Sequence, residues 1–235
     1  VNECNYQLVN DDDPIFELPF AKLSTGNIGY LQGPAYSSYE GSTTGSWGKC
    51  GGSVGLNALY RYLFRDGDRR REFVNGLWSY TYVIDKVTGQ QRDSLVIVKD
   101  NYKLFNNKWS KLWTAEGSAL GSTSEGSTGI NYPYLRYADV LLIFAEADNE
   151  LNDGPTEAAM ECLETVHKRA FPDGDDEFYQ QASGSKEAFQ KAVLDERKWE
   201  FAGENSRWRD LVRTNTYAEE IVYSFLRYYS VSAQN

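Results

Sequence analysis

The stretch YPYLRYADVLLIFAEADNEL, residues 132–151, constrains this chain more than any other. Apolar residues cover nearly every side of the helix it would form, yet Arg136, Asp139 and Glu146 lie inside it. Such a helix has three readings: a membrane span carrying functional charges, a catalytic carboxylate pair, or a packing helix with internal ion pairs. Its longest uninterrupted apolar run, Val140 to Ala145, is far short of the ~20 residues a span requires. Asp139 and Glu146 share one stripe but are seven residues apart, which is about 10.5 Å of helical rise. Inverting glycosidases need carboxyls ~6.5–9.5 Å apart and retaining ones ~5 Å, both in an open cleft. The spacing therefore favours buried structural charges, because a carboxylate buried without a partner costs several kcal/mol.

The opposite charges come from DERKWEFAGENSRWRDLVR, residues 195–213. There Glu196, Arg197, Glu200, Glu204, Arg207, Asp210 and Arg213 recur at spacings of mostly three or four, the pattern of an ion-pair network at a helix–turn–helix corner. Residues 132–235 otherwise read as a helical array: one helix over 132–151, a second from Pro155 or Thr156 to Ala170, and a third from Ser185 to Ala202 closed by Gly203. A fourth follows Ser206, and a fifth spans Thr216 to Tyr229.

Residues 1–131 have a different grammar, rich in glycine, serine and aromatics. IFELPF (15–20), LWSYTYVI (77–84) and SLVIVK (94–99) read as strands, and Val54 to Phe64 as a short helix. Gly26 to Gly52 is a long glycine-rich loop carrying Tyr30, Tyr36, Tyr39 and Trp47. Rigid aromatics on an adaptable Gly/Ser scaffold are the composition of a binding loop, and they are equally compatible with local core. EGSALGSTSEGSTG (116–129) has no aromatics and reads as a connector.

Other chemistry is thinly supported. With 34 acidic against 24 basic residues, the net charge of −10 argues against nucleic acid and anionic membrane surfaces. The acidic runs at 11–13 and 173–177 do not match the calcium-loop pattern, so turns and caps are their expected use. His167 lacks a second histidine or a cysteine partner and reads as a residue of a solvated helix surface. Cys162 reads as a small core residue, and a Cys4–Cys50 bridge suits only an oxidising compartment. No metal, cofactor or catalytic residue is expected.

Taken in order, YPYLRYADVLLIFAEADNEL, ETVHKRAF and DERKWEFAGENSRWRDLVR resemble the SusD/RagB family of outer-membrane nutrient-binding lipoproteins. The match runs through Pro133, Arg136 to Leu142, Glu146, Asn149, Glu150, Arg169, Ala170, and then Glu196, Arg197, Glu200, Phe201, Gly203, Glu204, Arg207, Asp210, Leu211 and Arg213; DPIFELPF and LYRYLFRDGDRR match more weakly. The resemblance implies a mainly α fold of tetratricopeptide-like helix pairs (an α-α superhelix) beside a loop-rich region with short strands. In it Arg136, Asp139, Glu196, Arg197, Glu200, Arg207 and Asp210 are structural ion-pair residues. It also implies a lipid-anchored protein on the outer face of the outer membrane, without catalytic activity. Such a protein captures oligosaccharide (or peptide, in some members) for a SusC-type TonB-dependent transporter. Trp47, Tyr36, Tyr39 and Tyr30 are then the ligand-facing candidates. The alternatives are a peptide-binding member, a tetratricopeptide-type interaction scaffold and, last, a glycoside hydrolase using Asp139 with Glu146 or Glu200 with Glu204. Family members are usually twice as long, with a lipidated cysteine that Cys4 does not resemble, so the chain reads as an internal or C-terminal portion. His167 stands where the family pattern has arginine.

Overall fold

The computed structural model describes residues 14–20, 26–33, 52–76, 78–97, 103–110 and 130–232. By its contacts the chain divides into two units, one of residues 1–58 and 72–136, the other of residues 59–71 and 137–235. Residues 59–71, which the sequence groups with the loop-rich region, thus belong with the helices.

The first unit is built from short antiparallel pairings. β1 (Pro14–Leu18) pairs with β7 (Tyr132–Arg136) through an irregular register in which Phe16 opposes Leu135 and Glu17 opposes Pro133. β6 (Lys103–Asn106) is the middle strand between β2 (Gly55–Asn57) and β3 (Asn75–Gly76). β4 (Trp78–Ile84) and β5 (Gln91–Ile97) form a regular hairpin. Its turn is fixed by Asp85, whose carboxylate accepts from the Val87 and Thr88 amides at 2.8 and 2.9 Å. The side chains of Trp109 and Ile130 make a small core, joined by Tyr132 and by Ile28 of α1 (Ile28–Gln32). Buried Asn131 bridges the ribbon to this core: its Oδ1 accepts from the Phe20 amide at 3.0 Å and its Nδ2 donates to Glu17 at 3.1 Å.

The second unit is helical: α3 (Tyr137–Leu151), α4 (Glu157–Ala170), α5 (Asp176–Ala182), α6 (Lys186–Glu200), α7 (Arg207–Arg213) and α8 (Tyr217–Ser232). Its caps are the ones its sequence supplies. Thr156, Asp175 and Ser185 each accept an amide hydrogen bond three residues on, which satisfies donors that a helix start leaves unpaired. After α6 the backbone turns at Gly203 with φ +77°, a conformation that costs glycine little. α3 packs on α4 and on α6 over Leu142, Ala145, Ala159, Leu163, Phe189 and Val193, all fully buried. Alanines at 145 and 159 add no bulk to these buried faces.

Several expectations are corrected. The 132–151 stretch is not one helix, because its first five residues pair with β1; Pro133 has no amide to give a helix, and strand pairing overrides the helical propensity that follows. Arg136 is accordingly a buried strand residue. The 54–64 segment is β2 followed by a 3-10 turn (Ala58–Leu63), since Leu56 pairs with Leu104. The segment 173–184 contains the additional helix α5. Ser206 precedes α7 but makes no capping bond. Cys162 is half-buried rather than core, while Cys4 and Cys50 lie outside the described residues.

Candidate functional site

The helical unit holds two hubs of charge. The first centres on Arg70, which opens α2 (Arg70–Val74). Its guanidinium donates to Glu196 Oε1 at 2.5 Å, to Glu200 Oε2 at 3.2 Å and to both Asp68 oxygens at 2.9 and 3.0 Å. Arg169 donates to the other Glu200 oxygen at 2.7 Å. The imidazole of His167 sits 2.7 Å from Glu196 and 3.3 Å from Asp175, and Arg65 grips Asp175 with two bonds of 2.8 and 3.0 Å. His167, expected at the surface, is fully buried. Two side chains close the corner. Trp199 donates its indole N–H to the Leu63 carbonyl at 2.7 Å, and the Tyr60 hydroxyl donates to the Lys198 carbonyl.

The second hub centres on Arg197, which donates to Asp139 at 2.6 Å and to Asp210 at 2.9 Å. Arg213 reaches the second Asp210 oxygen at 3.0 Å and clasps Glu146 at 2.5 and 2.8 Å, with Gln190 adding a bond of 3.0 Å. Arg207 donates to the Leu194 carbonyl and pairs with Glu220, each at 3.2 Å. α3, α6 and α7 are thus pinned together by side chains from all three.

This geometry decides how the carboxylates can act. A general acid at neutral pH needs its pKa raised, by burial without a cationic partner or by a second carboxylate nearby. Burial pushes Glu146 upward, but the hydrogen bonds from Arg213 and Gln190 outweigh it, and the net direction is down. The same contest lowers Glu196, through Arg70 and His167, and Asp175, through Arg65. Asp139 and Glu146 are held by different arginines rather than facing a common space. Glu146, Glu196 and Asp175 are arranged to stay ionised and to hold helices. Carboxylates depressed by folding stabilise the protein above their ordinary range of about 4 and lose that contribution as pH falls through their lowered values. Chemical denaturation at stepped pH should therefore show stability falling steeply below about pH 4. A flat profile down to about pH 2.5 would contradict this assignment.

On the ligand side, Tyr36, Tyr39 and Trp47 lie outside the described residues, and Tyr30 is placed only as a backbone position of α1. Among the described residues, β1 and β7 present an exposed aromatic pair, Phe16 and Tyr134, edge to face at 5.9 Å between centroids. The helical unit carries a cleft of about 430 Å³ lined by, among others, Asn149, Lys186, Gln190, Asp195 and Arg207. The acidic segment 173–177 serves as turn and cap through Asp175. Among the described residues no group of three or more His, Cys, Asp and Glu could hold a metal, and no helix is long and apolar enough to cross a membrane.

Sequence reasoning missed Arg70, Asp68 and Arg65 as parts of the first hub, although RDGDRR was visible as a charged run. It also missed the burial of His167. The signal was there: Leu163, Val166, His167 and Ala170 are all buried, and their spacing of three, one and three is one face of a helix.

Comparison with known proteins agrees with this architecture. SusD-like protein P25 of Formosa agariphila is 35% identical over 125 residues, covering 52% of this chain and 22% of that protein. SusD-like protein P2 of the same organism is 33% identical over 105 residues, 44% of this chain and 20% of that one. The chain therefore spans less than a quarter of either relative in the aligned part. Among solved structures, a SusD homolog of Bacteroides thetaiotaomicron superposes with a TM-score of 0.73 at 22% identity, over 95% of this chain and 45% of that one. Surface glycan-binding protein A of the same organism, in complex with laminarihexaose, gives 0.58 at 19% identity, over 87% and 43%. The fold is mainly α and SusD-like. The model of the SusD family matches residues 12–233, nearly the whole sequence, and the chain belongs to that family.

Proposed function

We propose that the protein to which this chain belongs captures oligosaccharides at the outer surface of the outer membrane, held there by a lipid anchor, and passes them uncleaved to a SusC-type TonB-dependent transporter. The observation that carries this reading is the family match over residues 12–233. A structural neighbour bound to laminarihexaose supports the ligand class. Asp139, Glu146 and Glu196 support capture rather than hydrolysis, since arginines hold each of them as a structural anion. In this reading Trp47 is the leading candidate for ligand contact, with Tyr36, Tyr39 and Tyr30 ranked behind it. An aromatic ring binds the apolar face of a sugar without a charge, which suits neutral glycans.

The test is calorimetric titration with a panel of neutral oligosaccharides that includes laminarihexaose. Trp47→Ala is expected to weaken binding by about 1–3 kcal/mol while leaving the thermal midpoint nearly unchanged. A variant that unfolds early but binds normally when folded would assign Trp47 to the core. The absence of any bound oligosaccharide would remove the reading itself.

A further inference from the structure

α3 is apolar on two opposite sides. Its inner side carries Ala138, Leu142 and Ala145, all buried where the helix packs on α4 and α6. Its outer side carries Tyr137, Val140, Phe144, Ala147 and Leu151, whose spacing of three, four, three and four keeps them in one stripe. All five are exposed, Phe144 at 45% and Leu151 at 85%, and exposed Ile143 widens the stripe. A helix on the surface of a folded unit needs one apolar face, whereas a helix apolar on two faces belongs in an interior. A contiguous apolar stripe left in water marks a place where something docks.

Three observations choose the occupant. The three-four spacing is a seam that the side chains of a second helix fill, and a strand or loop has no matching period. Apart from the Tyr137 hydroxyl the stripe has no hydrogen-bonding side chain, so it offers little to orient a sugar. The solved SusD homolog shares this fold over 95% of the present chain but over 45% of its own. More than half of that molecule therefore has no counterpart in these 235 residues, and it is a source of further helices. Asp148 and Glu150 border the stripe at its C-terminal end, which selects basic residues on the helix that meets them.

We propose that the outer stripe of α3 is the seat of an amphipathic helix from the remainder of the protein to which this chain belongs. That helix carries apolar residues at the same three-four spacing and basic residues against Asp148 and Glu150. α3 is then held on both sides, by α4 and α6 within and by the incoming helix without. Burial on both sides is the reason apolar residues cover nearly every side of this stretch.

The experiment is hydroxyl-radical footprinting of the whole protein, read by mass spectrometry. It compares Phe144 with Phe189 and Leu151 with Leu142, the second of each pair being fully buried in the helical core. Both members of each pair should be oxidised at the same slow rate, because a seated helix shields the stripe as the core shields its own side chains. Phe144 and Leu151 oxidised many-fold faster than their buried counterparts would overturn the proposal. Illuminating the whole protein with Phe144→p-benzoylphenylalanine then identifies the occupant. The expected cross-link joins that position, within one polypeptide, to an apolar stretch with basic neighbours outside these 235 residues. A cross-link between two copies, or to a segment within these 235 residues, would overturn the proposal. Where that variant fails to fold, Ile143→p-benzoylphenylalanine takes its place.

Discussion

Arg70→Ala is expected to lower the stability of the helical unit by about 3–5 kcal/mol, the range seen when a buried ion pair loses one partner. The effect comes less from the bonds removed than from what remains. Glu196 is fully buried, and Asp68 and Glu200 are nearly so, and all three lean on this guanidinium. Burial pulls the Arg70 guanidinium toward losing its proton, but the carboxylates around it outweigh that and hold it firmly charged. Without it Glu196 keeps only His167 and must protonate or be stranded. Arg70→Lys should recover part of the loss, because an ammonium restores charge but not the fork that reaches three carboxylates at once. Urea unfolding followed by circular dichroism reads both variants. An Arg70→Ala protein within about 1 kcal/mol of the native one would show that the hub is dispensable.

Arg197→Ala should cost somewhat less, about 3 kcal/mol, because it leaves Asp210 with Arg213 alone and removes the clasp on Asp139. The guanidinium also lies 5.1 Å from the centre of the Phe201 ring, and the same variant removes this cation–π pairing. Asp139→Ala is the milder change. Asp139 is about a quarter exposed, and Arg197 keeps Asp210 when it is gone, so about 1–3 kcal/mol is expected. The ordering of the two variants is the sharper check. Unfolding measurements that place Asp139→Ala well below Arg197→Ala in stability would contradict the geometry of this hub. Neither substitution should alter glycan affinity once the protein is folded.

The parts of this fold that were legible in the sequence are those set by local chemistry. Thr156, Ser185 and Gly203 mark helix ends because capping bonds and positive φ act within a few residues. The charges of 195–213 announce an ion-pair corner because their helical spacing of three and four groups them. What was not legible depends on distant partners. Arg70 meets Glu196 across 126 positions, and nothing local tells one arginine of RDGDRR from its neighbours. The strand at 132–136 exists because Pro14–Leu18 pairs with it, a fact absent from its own residues. His167 was misplaced for a different reason: its neighbours at 164, 165 and 168 face solvent and masked its own phase on the helix. Of the candidate site, the ion-pair side is described in detail, while Trp47, Tyr36 and Tyr39 lie outside the described residues.

Capture without chemistry is tested most directly by native mass spectrometry of the protein mixed with a panel of neutral oligosaccharides, laminarihexaose among them. One spectrum reports both what is held and whether it survives. The predicted result is a set of complexes at the mass of protein plus intact oligosaccharide, with the free glycan unchanged after prolonged incubation. Accumulating shorter glycans, or a protein that retains none of the panel, would contradict the account.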